Sequence, residues 1–129
     1  MAYDRTTFQL LAELRLTEAK LLAHAGHHSG AYYLAGYALE CALKARIASQ
    51  FRDNQIPDKV LVNRIYTHDL SELVRLAGLV LARRWSVAVS WSEQARYLVW
   101  TRDSASDMIE AVGGAEDQGG LLLWLTNRW

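Results

Sequence analysis

Four polar side chains follow one another along the most apolar segment of the sequence. Tyr33, Tyr37, Glu40 and Lys44 are four, three and four residues apart, so on a helix they share one face. Tyrosine rings can stack on a nucleobase, and a lysine ammonium can meet a phosphate. The alternative is an ion pair within the helix, flanked by tyrosines and worth ~0.2–0.5 kcal/mol. Because the neighbouring positions are apolar, we expect the Glu40–Lys44 pair to be partly buried and to need partners.

Two arginines in the second half of the chain form the next candidate group. Arg96 and Arg102 are six residues apart, with Tyr97 beside the first. Guanidinium groups suit bidentate contact with phosphate, so the two arginines can form a phosphate clamp. The alternative is ion pairing with Glu93 or Asp103.

Histidines offer little catalytic or metal-binding chemistry. His68 precedes Asp69 in a pattern more typical of a helix start than of a catalytic pair. His24 and His28 are four residues apart, which can serve zinc, but Gly26 interrupts the helix and no third ligand is near. No serine has a nucleophile-elbow context and no P-loop is present. We therefore predict no catalytic residues, no metal and no cofactor.

Composition limits the classes of protein that fit. The 129 residues suit one domain, here 1–129, and 14 basic residues balance 14 acidic ones. A neutral chain is not expected to bind duplex DNA non-specifically. The single cysteine, Cys41, fits a reducing compartment. No signal peptide or membrane-spanning run is evident, so we expect a cytoplasmic protein that does not enter a membrane.

The first helix is expected to begin at Thr6 or Thr7. Its apolar positions recur at helical spacing, so they predict the face that packs in the core. These positions are Leu10, Leu11, Leu14, Leu21, Leu22 and Ala25.

The second helix is expected from Ser29 to Gln50, after a turn at residues 26–30. It is apolar nearly all round, which is typical of the central helix of a bundle. It carries the tyrosine, glutamate and lysine face described above.

Shorter elements follow. We expect helices from Asp58 to about Ile65, from Thr67 or Asp69 to Gly78 or on to Trp85, from Ser92 through Val99, from Asp103 or Ser104 through Val112, and after Gly120. The prediction is an all-α, up-and-down bundle of about four main helices with short extra helices. Trp124 or Trp129 is expected to help form a subunit contact, since a chain end is rarely well buried.

The segment from Ala31 to Ala45 resembles the signature helix of HEPN (higher eukaryote and prokaryote nucleotide-binding) domains. His68-Asp69-Leu70, the run from Trp91 to Tyr97, and the ending from Gly120 to Trp129 are similar to further elements of small stand-alone members. The likeness spans nearly the whole chain.

This resemblance implies an all-helical domain that forms a homodimer and binds a nucleotide or RNA. It also implies a minimal nucleotidyltransferase partner or membership of a toxin–antitoxin pair. The implied groove contains Tyr33, Tyr37, Glu40, Lys44, His68, Arg96 and Arg102.

The ribonucleases of the family carry an arginine, four to six residues and then a histidine, late in the fold. No histidine follows Arg96 or Arg102, and Arg64 is separated from His68 by only three residues. The resemblance therefore favours a non-catalytic binding module. The alternative is a metal-independent ribonuclease with a non-standard site built on His68.

Overall fold

The computed structural model describes residues 4–51, 55–79, 85–115 and 118–129. Within these ranges the fold is all-α, as predicted, and the helices are α1 (Arg5–His24), α2 (His28–Ala48), α3 (Lys59–Ile65), α4 (Leu70–Leu76), α5 (Arg102–Gly113) and α6 (Leu121–Thr126). A minimal antiparallel bridge joins β1 (Gly114–Ala115) to β2 (Gln118–Gly119), with Gly114 opposite Gly119.

The two long helices α1 and α2 lie antiparallel and form the body of the fold. They are joined by a tight turn in which Gly26 has a φ of 86°, a conformation that glycine adopts without strain. α5 packs against both of them, and α6 packs against α2 and α5. α2 is thus central, as its apolar composition predicts.

α1 packs on a face that only partly overlaps the expected one, since Leu11 and Leu22 contact the core as expected. Ala12, Leu16 and Ala19 are the buried positions of this helix, at intervals of four and three residues. Leu10, Leu14 and Leu21 are instead 64%, 45% and 65% exposed. The sequence pattern is ambiguous because both stripes have helical spacing, and the smaller residues allow α2 to approach more closely.

Helix starts follow local capping chemistry. α1 begins after Asp4, whose carboxylate accepts from the Thr7 backbone N–H, so the expected caps Thr6 and Thr7 lie inside the helix. α5 begins after Thr101, earlier than the expected Asp103 or Ser104. The predicted start of α3 at Asp58 and the Asp69 cap of α4 are confirmed.

The connection between α4 and α5 is less regular than expected. The helix predicted from Ser92 is a 3₁₀ turn, Glu93–Tyr97, after which Leu98 is extended. A second 3₁₀ turn covers Ala88–Ser90. Gly78 ends α4 with a φ of 71°, and most of the alternative continuation toward Trp85 falls in residues 80–84, outside the described part of the chain.

Trp91 anchors this connection to α2 at one glycine. A Cβ atom built on Gly36 would lie 2.2–2.4 Å from the Trp91 indole. The indole therefore packs directly on the helix backbone, and it is almost fully buried. Gly36 is required for this close approach, although glycine lowers helix stability in general.

We predict that Gly36→Ala lowers the free energy of unfolding by about 1–3 kcal/mol, since the added methyl group must displace a buried indole. Urea unfolding followed by circular dichroism measures the change. Gly30→Ala is the matched control in the same helix, because its Cβ would meet only the end of the Leu22 side chain at 3.3 Å. Equal stability of the two variants would contradict this account of Gly36.

Candidate functional site

The centre of the candidate site is a buried ion pair on α2. Glu40 is only 2% exposed and Lys44 is 9% exposed. Lys44 Nζ lies 3.4 Å from Glu40 Oε2. The helix places the two side chains one turn apart on the same face, and the expected partial burial of the pair is confirmed.

His68 is the further partner that the buried carboxylate needs. Its Nδ1 lies 2.8 Å from Glu40 Oε1, and its Nε2 lies 3.3 Å from Glu93 Oε2. The ring stands just before α4, where Asp69 caps the helix by accepting from the Glu72 N–H. The helix-start interpretation of this pair is therefore confirmed, and the same turn carries His68 to Glu40.

These charged groups face a cavity of about 380 Å³ with largely apolar walls. Three segments enclose it: the start of α1, the middle and end of α2, and α3 with the turn that follows it. The lining residues are Phe8, Tyr37, Glu40, Cys41, Lys44, Ala48, Phe51, Val62, Ile65, Tyr66 and His68. We call this space the α2–α3 cavity.

Tyr37 lines the α2–α3 cavity, whereas Tyr33 is not among the lining residues and instead packs against the Tyr37 ring. The two rings are stacked with their centroids 6.2 Å apart, and Tyr33 also lies 5.8 Å from the Trp91 ring. Burial, with smaller contributions from Cys41, Glu40 and Tyr33, raises the pKa of Tyr37. Tyr37 therefore stays a neutral hydroxyl at physiological pH.

Cys41 on the cavity wall is a buried free thiol. Burial first, and the Glu40 carboxylate second, raise its pKa to about 12. Because the thiolate is the reactive form, this cysteine behaves as an apolar wall residue and not as a nucleophile.

The two predicted arginines have different recognised neighbours. Arg96 lies 4.9 Å from the centroid of the Tyr97 ring, and Tyr97 is the main cause of its raised pKa, with smaller contributions from Tyr33 and Glu93. Arg96 therefore stands near the Tyr33 and Glu93 edge of the site. Arg102 lines a cleft beside α1, and the phosphate clamp of the two arginines stays a prediction.

Several lining residues escaped the sequence reasoning. Phe8, Phe51 and Tyr66 come from separate segments, and no local spacing connects them to α2. The sequence did hold a signal for Tyr66. This aromatic residue comes directly after the helix expected to end at Ile65, and it stands two residues before His68.

Comparison with protein families, curated proteins and solved structures finds no match. Within the described ranges, no group of three or more His, Cys, Asp or Glu side chains is arranged to hold a metal ion. None of the helices described is both long enough and apolar enough to cross a bilayer.

We predict that Glu40→Leu lowers the free energy of unfolding by about 3 kcal/mol, because it leaves the Lys44 ammonium buried without a counterion. Adding Lys44→Met should recover at least half of that loss, since an apolar pair needs no compensation. Urea unfolding of both variants measures the difference. Glu72→Gln, which breaks an exposed ion pair with Arg75, is the control and should have a much smaller effect. A double variant less stable than Glu40→Leu would contradict the role given to the pair.

Proposed function

We propose that this chain is a non-catalytic, homodimeric module of HEPN type that binds a nucleotide or an RNA segment through the α2–α3 cavity. The proposal takes the family from the sequence resemblance and the binding mode from the cavity. A minimal nucleotidyltransferase, or the other half of a toxin–antitoxin pair, is the protein partner that the resemblance implies.

The observation that carries the proposal is the unused donor capacity of Lys44 in an apolar, aromatic cavity. An ammonium group has three donors, and among the described residues Glu40 is its hydrogen-bond partner. Two donors therefore remain for a ligand. A nucleobase combines an apolar face with carbonyl and ring-nitrogen acceptors on its edge, which is the chemistry such a cavity accommodates.

The charged and aromatic residues of the cavity then each have a defined role. Glu40 is a positioning residue, because its two oxygens hold Lys44 and His68. Tyr66 is 71% exposed at the cavity edge, where its ring is free to stack on an entering base. Tyr37 and Phe51 supply further aromatic wall.

We predict that Tyr66→Ala weakens nucleotide binding by about 1–3 kcal/mol, the usual contribution of one stacked aromatic side chain. Lys44→Met should weaken binding at least as much, because it removes the donors. Isothermal titration with the four ribonucleoside monophosphates measures both effects. Tyr66 is exposed, so its replacement leaves the fold intact and keeps the test informative if Lys44→Met is unstable.

Lys59→Ala is the matched control, since Lys59 is an exposed lysine at the start of α3 that does not line the cavity. Its titration should match that of the unmodified protein. If Tyr66→Ala, Lys44→Met and the unmodified protein bind the nucleotides with equal affinity, the α2–α3 cavity is not the nucleotide-binding site.

The exposed face of α1 supports the dimer. Leu10, Leu14, Thr17 and Leu21 form an outward stripe, which we call the leucine face. Residues 10 and 21, and residues 14 and 17, are placed symmetrically about its midpoint. Two copies of α1 packed antiparallel would therefore match residue for residue, as a two-fold interface requires. Apolar patches of this kind commonly mark subunit contacts.

We predict that the unmodified chain has about twice the 14.6 kDa monomer mass in solution, and that Leu14→Glu converts it to the monomer. A glutamate at this position would face the uncharged Thr17 of the other copy, and the two new carboxylates would lie within about one helical turn of each other without a basic partner. Light scattering coupled to size-exclusion chromatography gives both masses. Leu123→Glu, which changes an exposed leucine on α6, is the control and should leave the mass unchanged. A Leu14→Glu protein that keeps the dimer mass would rule out the leucine face.

No contact in the site favours the alternative ribonuclease. Within the described residues, the recorded polar partners of His68 are the carboxylates of Glu40 and Glu93, and no arginine donates to it. His68 Nδ1 lies 2.8 Å from a Glu40 oxygen and Nε2 lies 3.3 Å from a Glu93 oxygen, so both ring nitrogens are next to carboxylates and not to an arginine.

Trp124 and Trp129, which the sequence suggests for a subunit contact, both have contacts within the chain. The Trp124 ring meets the Trp85 ring edge-on, and the Trp129 carbonyl accepts a hydrogen bond from the Gln9 side chain.

A further inference from the structure

A second cleft lies along the groove between α1 and α5, and its charged side chains are mostly basic. Lys20 and His24 come from the end of α1, His28 from the start of α2, and Arg102 from the start of α5. The cleft has a volume of about 610 Å³. Glu110 is the acidic residue that also lines it.

These four basic side chains have no anionic partner in the described part of the chain. The ion pairs there involve Arg15, Lys44, His68 and Arg75. No side-chain hydrogen bond of Lys20, His24, His28 or Arg102 occurs among the described residues either. Although the chain as a whole is neutral, this groove therefore holds two cations, Lys20 and Arg102, against the one carboxylate of Glu110, with two histidines among its lining residues.

The charges are distributed along the groove and not concentrated at one point. Arg102, at the start of α5, marks one end. Lys20 lies toward the other end, because its Cε would be 3.4 Å from a Cβ built on Gly113. The lining positions on α5 run from Arg102 to Glu110, which is eight residues or roughly 12 Å along a helix.

From this arrangement we infer a second binding site in the α1–α5 cleft, which takes a small ligand that carries two or more linked phosphate groups. Arg102, with its planar set of donors, binds one phosphate, and Lys20 reaches along the groove toward the next. His24 and His28 add donors at the Arg102 end. This site does not rest on the proposed function, because it shares no lining residue with the α2–α3 cavity.

The charge balance favours a small oligophosphate over a nucleic-acid strand. Strand binding draws on many cations along an extended surface, whereas this chain has no net positive charge and only two of its lysines and arginines, Lys20 and Arg102, line this short groove. A di- or triphosphate places several charges within the length of that groove and is the better match.

The test is a calorimetric titration of the 129-residue chain with inorganic triphosphate at low ionic strength. Charge reversal by Arg102→Glu or Lys20→Glu should each weaken triphosphate binding at least about tenfold, because each replaces an attraction with a repulsion at short range. Both side chains are exposed, and a glutamate at the first position of α5 suits the helix N-terminus, so both variants should fold.

Lys59→Glu is the control for overall charge, and Tyr66→Ala is the control for the α2–α3 cavity; both should bind triphosphate like the unmodified protein. Inorganic monophosphate should bind more weakly than triphosphate. Equal weakening by Arg102→Glu and Lys59→Glu, or no saturable triphosphate binding, would overturn the assignment. Tighter binding of a single-stranded oligoribonucleotide that lacks terminal phosphates would overturn the choice of a small ligand.

Discussion

The arrangement of the candidate site depends on the burial of an ion pair in the central helix. Removing a carboxylate and an ammonium from water is costly unless both find partners. In this fold Glu40 faces Lys44 on one oxygen and His68 on the other. The carboxylate thus links α2 to the turn before α4 and orients two donor-bearing side chains toward the same cavity. Without that carboxylate the Lys44 ammonium and the His68 ring would lose the contact that orients them.

Small residues around the pair explain how α2 tolerates it. Alanines and Gly36 let neighbouring elements pack against the helix backbone, and the Trp91 indole covers Gly36 directly. Close packing excludes water from the rest of the helix. The polar face is therefore confined to one narrow strip, and α3 with the turn that follows it forms the far wall of the α2–α3 cavity.

The part of the candidate site that lies on α2 could be predicted from sequence, because the apolar and polar residues of this helix follow an unambiguous pattern. Its length, its apolar character and the alignment of Tyr37, Glu40 and Lys44 all follow from helical spacing. The orientation of α1 could be predicted only in part, because two stripes compete at the same period and only tertiary packing selects Ala12, Leu16 and Ala19. The cavity walls were missed because Phe8, Phe51 and Tyr66 are brought together by chain topology. The cleft that Arg102 lines could not be predicted, because spacing in sequence does not show which groove a side chain faces.

The burial of the Lys44 ammonium is the central claim, and nitrogen-15 NMR of the lysine side chains tests it directly. The chain has three lysines, and Lys20 and Lys59 are exposed, so they serve as internal references. A hydrogen-bonded, buried ammonium exchanges its protons slowly with water. We expect the Lys44 ammonium signal to persist under conditions of temperature and pH in which the signals of Lys20 and Lys59 are lost. Equally fast exchange at all three lysines would contradict the account.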